Sequence, residues 1–184
     1  MRVLAISGSL RSDSHNTRLL RAAAELAPPL AELELFEGLK GVPPYDEDDD
    51  GDLAPEGARR LREAIAEADA VLIATPEYNS SIPGQLKNAL DWASRPFPDN
   101  VLRNKPVAVI GASTGMFGAV WAQADVRKVL GAIGARVVEV ELPLAGAEEA
   151  FAGARLADEE LHRRLAQILA ELVEAVEDRH LLAA

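Results

Sequence analysis

Residues 7–20 read SGSLRSDSHNTRLL, and nearly every side chain there is a hydroxyl, an amide or a base. The stretch follows directly on the apolar run Val3-Leu4-Ala5-Ile6. Gly8 lets the chain turn sharply where that run stops. Ser9, Arg11, Ser14, Asn16 and Thr17 then lead into a segment with helical spacing, and Asn16 or Ser14 is suited to cap it. A helix N-terminus with free N–H groups, hydroxyls and one guanidinium has the chemistry to hold a phosphate. A nucleotide P-loop is excluded, because no Gly-Lys-Ser/Thr follows, and the Gly-x-Gly-x-x-Gly dinucleotide fingerprint is missing too. What remains is a hydroxyl-rich cradle for one phosphate. The bland alternative is a helix start with more caps than it needs.

Two further stretches carry unusual residues. In TPEYNSSIPGQLKNALDW, residues 75–92, Pro76 stops the preceding apolar run from continuing as a strand. Glu77, Tyr78 and Asn79 make a polar, partly aromatic tip, and Pro83 marks a helix start. Such a tip can pack on the edge of a planar heterocycle while amides pair with its ring nitrogens and carbonyls. It can equally be a surface anchor. Trp92 reads as core. In GASTGMFG, residues 111–118, small hydroxyls and glycines follow another apolar run, so backbone can approach a flat ligand closely. Ser113 and Gly115 are the candidate contacts here.

Elements must bring these stretches together. Apolar runs at residues 3–6, 31–36, 70–74, 107–110 and 136–140 alternate with helical patterns at 17–26, 58–68, 82–92, 117–130 and 158–178. Continuous Val/Ile/Leu runs predict parallel strands covered on both faces. Five strands alternating with five helices predict a doubly wound, five-stranded parallel sheet in an α/β/α sandwich. No linker or composition break divides the chain, so residues 1–184 read as one domain. In such a sheet, ligands sit outside the carboxyl ends of the strands. The three stretches follow the first, third and fourth strands, so all three should meet on one edge.

Composition narrows the partners. The chain has 184 residues and a net charge of −11, which argues against nucleic acid and anionic membranes. An anion must therefore be held locally, by backbone N–H groups and a few chosen cations. There is no cysteine, hence no disulfide, thiol nucleophile or thiolate-bound metal, in keeping with a reducing cytoplasm. The first residues are too briefly apolar for a signal peptide, and no run is long enough for a membrane span. The acidic patch YDEDDDGD, residues 45–52, reads as a solvated loop rather than a metal site. His162 and His180 read as solvated or capping residues, and His15 as a loop residue beside the cradle.

The three stretches together resemble the NADPH-dependent FMN reductase family, which includes chromate/quinone reductases and azoreductases of the flavodoxin-like fold. The likeness runs from ISGSLRSDSHN through ATPEYNSSIPGQLKNALDW to VIGASTG, the middle motif being the most specific. It implies a flavodoxin-like fold and non-covalent FMN. It also implies homodimers that often pair into homotetramers, and electron transfer from NAD(P)H to quinones, azo dyes, free flavin or metal oxyanions. Ser9, Arg11, Ser14, Asn16 and Thr17 match the family's phosphate loop. Pro76, Glu77, Tyr78 and Asn79 match its isoalloxazine-contacting segment, and Ser113 and Gly115 its small-residue loop beside the ring. His15 stands where an apolar residue is common and Ser80 where Gly is common. MFGAVWAQ lacks the paired glycines and following Arg often found there.

By this reading the flavin does the chemistry and the protein binds and orients it, so no side chain need act as acid or base. One open ring face serving donor and acceptor in turn predicts ping-pong kinetics. The rival from another class is a flavodoxin-like electron carrier or flavin-binding regulatory module, which would show little NAD(P)H oxidation with a quinone. A third reading, a structural protein that has lost its ligand, is opposed by the intact Arg11, Asn16 and Tyr78.

Overall fold

The computed structural model describes residues 1–51 and 54–183. Its centre is a parallel sheet in the order β2-β1-β3-β4-β5, where β1 is Arg2–Ser7, β2 Glu32–Leu35, β3 Ala70–Thr75, β4 Pro106–Ala112 and β5 Arg136–Val137. Every residue of β3 and β4 is buried, as continuous apolar runs require. On edge strand β2 half-buried residues alternate with exposed ones, matching ELEL.

Strand side chains alternate between faces, and each face carries its own core. Val3, Ala5, Leu72 and Ile110 pack against helices α1 (His15–Leu26) and α5 (Glu159–Ala183). Leu4, Ile6, Val71 and Val109 pack against α2 (Glu56–Glu67), α3 (Gly84–Ala93) and α4 (Val120–Ile133). This is the three-layer, flavodoxin-like α/β/α arrangement read from the sequence. Trp92 lies wholly inside the second core, its Nε1 donating to the Pro43 carbonyl at 2.8 Å.

The far edge departs from the expected single strand at residues 136–140. Two short strands share it: β5 pairs with the start of β4, and β6 (Leu142–Leu144) with its end. An antiparallel hairpin, β7 (Phe151–Ala152) and β8 (Arg155–Leu156), follows. These pieces are too short to show a periodicity. Helix α4 starts at Val120 instead of residue 117, because Gly118 and Ala119 both take left-handed backbone angles, φ 57° and 62°. A Cβ on Gly118 would lie 2.3 Å from the Pro143 carbonyl carbon, so only glycine fits there.

The acidic patch is more structured than a solvated loop. Glu47–Asp49 forms a short 3-10 helix capped by Asp46, and Asp50 makes a 2.6 Å ion pair with the largely buried Arg62. The expectation for Asp52 lies outside the described residues. Among the described residues no helix is long and apolar enough to cross a membrane.

Candidate functional site

Strands β1, β3 and β4 end almost level: Ser7 pairs with Ala74, and Thr75 with Gly111. The three loops therefore leave the same sheet edge, at the switch in strand order where a crevice must open. Ser9, Arg11, Ser14 and Asn16 of the first loop, Pro76, Glu77 and Tyr78 of the second, and Ser113 of the third line one pocket of about 130 Å³. His15, Ala112 and Thr114 line it as well. Thr17 faces an adjoining pocket of about 300 Å³ that also contains Ser9, Arg11, Arg21 and Lys40. Asn79 and Gly115 stand outside both linings.

The first loop is folded by its own hydroxyls. Ser14 is the N-cap of α1, its Oγ accepting from the N–H groups of Asn16 and Thr17. Thr17 donates its hydroxyl to Ser7 Oγ at 2.9 Å, tying the helix to the end of β1. Asn16 is buried and reaches across to the third loop, donating to the Ala112 carbonyl at 3.0 Å and accepting from the Ala112 N–H at 2.9 Å. Its amide thus positions the pocket wall. The N–H of His15 has no acceptor among the described residues and belongs to the first helical turn, where the helix dipole favours an anion. Arg11 is exposed and gives one guanidinium N–H to the Asp13 carbonyl at 3.2 Å, leaving further donors free. In the adjoining pocket Arg11, Arg21 and Lys40 outnumber Glu37, so a protein of net charge −11 carries a local cationic spot here.

The second loop is a miniature hairpin. Tyr78 and Ser81 exchange both backbone hydrogen bonds at 3.2 Å, and the two residues between them, Asn79 and Ser80, have φ of 52° and 59°. Two left-handed residues in a two-residue turn make a type I′ turn. It projects Tyr78, half exposed, at the pocket mouth. Pro83 is the N-cap of α3 and lies just outside the helix. Glu77 turns the other way: its Oε2 accepts from the N–H groups of Trp121 and Ala122, at 3.0 and 3.1 Å. It caps α4, whose own cap residue Ala119 has no side chain for the task. Ser81 adds a 2.6 Å hydrogen bond to Asp125 of the same helix. The exposed Phe117 and Trp121, in edge-to-face contact at 4.9 Å, stand beside this junction.

The third loop is held from behind. The Ser113 N–H donates to the Leu144 carbonyl and the Ser113 carbonyl accepts from Ala147, while Ser113 Oγ accepts from the Gly115 N–H. A Cβ on Gly111 would come within 2.8 Å of Gln123 Nε2 and 2.9 Å of the Thr75 carbonyl, so this close approach of strand and helix requires glycine.

Several of these supports give no sequence signal. Ser7 looks like the end of a strand, Ala112 offers only its backbone, and Ser81 and Asp125 are 44 residues apart. The donor set nevertheless fits an FMN phosphate at the first loop: an N-terminal helical turn, hydroxyls and a guanidinium, while the one carboxylate lining the pocket, Glu77, is engaged by the start of α4.

Known proteins share this sequence pattern and fold. Residues 1–149 match the family model described as NADPH-dependent FMN reductase. The chain is 43% identical to an NAD(P)H-dependent FMN reductase of Pseudomonas aeruginosa over 174 residues, 94% of this chain and 93% of that protein. It is 48% identical to a 2-hydroxy-1,4-benzoquinone reductase of Burkholderia over 129 residues, 70% of this chain and 69% of that one. The solved structure of FerB, a flavoenzyme NAD(P)H:(acceptor) oxidoreductase from Paracoccus denitrificans, superposes with a TM-score of 0.84 at 38% identity, covering 97% of this chain and 98% of that one. With the match spanning the sheet and all three loops, the chain belongs to the NADPH-dependent FMN reductase family, oxidoreductases that use FMN with NAD(P)H as co-substrate.

Proposed function

We propose that this enzyme reduces quinone-like acceptors, with FMN held by its phosphate at residues 9–17 and by its ring between the hairpin tip and the small-residue loop. The observation that carries the reading is the convergence of Arg11, Tyr78 and Ser113, from three separate loops, on one pocket at the switch in strand order. Bound FMN supplies two-electron redox chemistry between NAD(P)H and an acceptor. The chain's own residues bind and orient. Ser9, Arg11, Ser14 and the His15 N–H face the phosphate; Asn16 and Thr17 fix the turn that presents them. Pro76, Glu77, Tyr78 and Asn79 set the height and edge of the ring pocket, with Ser113 and Gly115 on its other side. The quinone reductases among the relatives support the acceptor class.

The test is kinetic and spectroscopic. Anaerobic NADH, then NADPH, should bleach the flavin of the loaded protein, and a quinone should restore it. Double-reciprocal plots should be parallel. A flavin that stays oxidised with both nucleotides sinks the enzyme reading, and intersecting plots sink the shared-face reading. For the cradle, Arg11→Ala should weaken FMN by about 1.5–3 kcal/mol, the range for a charged hydrogen bond. Riboflavin, which lacks the phosphate, should be far less affected.

We further infer a homodimer, or a pair of dimers, formed through the face beside the flavin. Tyr78, Phe117 and Trp121 are exposed around α3 and α4, more aromatic surface than one loop cluster requires in water. A two-fold contact there would be self-complementary. Light scattering that gives a monomer at micromolar concentration with FMN bound would reject it. A cytoplasmic site of action fits a chain that consumes NAD(P)H and has no cysteine. Activity confined to a membrane or external fraction would contradict that.

A further inference from the structure

His15 occupies an unusual position. It is the first residue of α1 and lines the pocket with Ser9, Arg11, Ser14 and Tyr78. Its Nδ1 is fully buried and, among the described residues, has no hydrogen-bond partner. The two ring nitrogens are therefore not equivalent. A proton on Nδ1 would be sealed in the protein as a donor with no acceptor, which native structures avoid more strictly than an unused acceptor. The ring proton thus belongs on Nε2, on the edge of the imidazole left to the pocket. That pocket is also lined by Ser9, Ser14 and Arg11, while its one lining carboxylate, Glu77, is engaged by the start of α4.

We propose that His15 is a specificity-determining residue of this chain's cofactor site, its Nε2–H donating to the phosphate end of FMN beside Arg11. This rests on the reading of residues 9–17 as the phosphate cradle. An apolar side chain in its place would fill the same space and offer nothing to the anion.

The experiment compares full-length apoprotein carrying His15, His15→Phe and His15→Gln for binding of FMN and of riboflavin by fluorescence. One hydrogen bond to the charged phosphate predicts that His15→Phe weakens FMN roughly 10- to 150-fold, with riboflavin unchanged. His15→Gln, which keeps an N–H donor, should fall between, and stands in if the Phe variant misfolds. Independently, ¹⁵N-histidine NMR at mildly alkaline pH should show the proton of His15 on Nε2. Only three histidines are present, so the pattern lost in the variant identifies it. That resonance should move on adding FMN but not riboflavin. An Nδ1-protonated ring, an equal loss for both flavins, or no loss for FMN overturns the proposal. Arg11→Ala separates the two levels. If it lowers FMN selectively while His15→Phe does not, the cradle stands and His15 has no part in it. If neither discriminates between the flavins, the cradle reading itself is wrong.

Discussion

Asn16 and Ala112 are 96 residues apart in the chain, yet the side chain of one pairs with the backbone of the other as two strands would pair. The Asn16 amide donates to the Ala112 carbonyl at 3.0 Å and accepts from its N–H at 2.9 Å, both bonds buried. β3 ends at Thr75, opposite Gly111, so this pair takes up the last backbone groups of β4 beyond the reach of β3 and fixes the first loop against the third.

Asn16→Ala should therefore destabilise the fold by about 2–4 kcal/mol in urea unfolding, because two buried backbone groups lose their partner. Asn16→Asp should be at least as harmful, since a carboxylate cannot donate to the Ala112 carbonyl. Flavin affinity should fall in both. Variants as stable as wild type would show that the pair holds nothing.

Glu77 joins the hairpin to α4 by capping it from outside. Removing a cap and its charge at a helix N-terminus costs about 0.5–2 kcal/mol, so Glu77→Ala should lose about that much. Glu77→Gln keeps an oxygen acceptor and should lose less. Equal effects in equilibrium unfolding would assign the contribution to charge alone.

Ser80 holds a left-handed conformation, φ 59°, that costs a non-glycine residue about 1 kcal/mol. It is exposed, so its side chain gains no burial there. Ser80→Gly should stabilise the protein by roughly 0.5–1 kcal/mol after allowing for the greater freedom of glycine when unfolded. A drop in melting temperature would mean that the type I′ turn is not the populated form.

Lys105 lies at the opposite end of the sheet from the site. It is 4% exposed and donates to the carbonyls of Ala66 and Ala68 at the end of α2. Burial, with a smaller contribution from the Arg179 charge, pushes its ammonium down to about 8 from 10.5. Between these values the unfolded chain binds the proton more tightly than the folded one. This group's contribution to stability is therefore lowest below pH 8 and rises as pH climbs toward 10.5. Relative to Lys105→Met, wild type should gain about 1–3 kcal/mol across that window, measured by urea unfolding at several pH values. A difference that is flat with pH, or that falls, would refute the shift.

The alternation of apolar runs with helical spacing determined the parallel sheet and its two helical layers, because burial on both faces demands continuous Val, Ile and Leu, whatever the rest of the chain does. It also determined that residues 9–17, 76–79 and 113–115 leave one edge, since parallel strands all end on the same side. Local chemistry read correctly where it is self-contained: Ser14 caps its own helix, and Pro76 ends its own strand. What the chain alone left open is what depends on distant partners. Asn16 looks like a ligand residue, and only the register of β1 beside β3 and β4 brings Ala112 within its reach. Glu77 looks like part of a ring contact, and only the left-handed turn at Gly118 and Ala119 swings the bare end of α4 beneath it. The second strand on the far edge, β6, is three residues long, too short for any period, and exists because β4 extends past β5 and leaves backbone groups to pair.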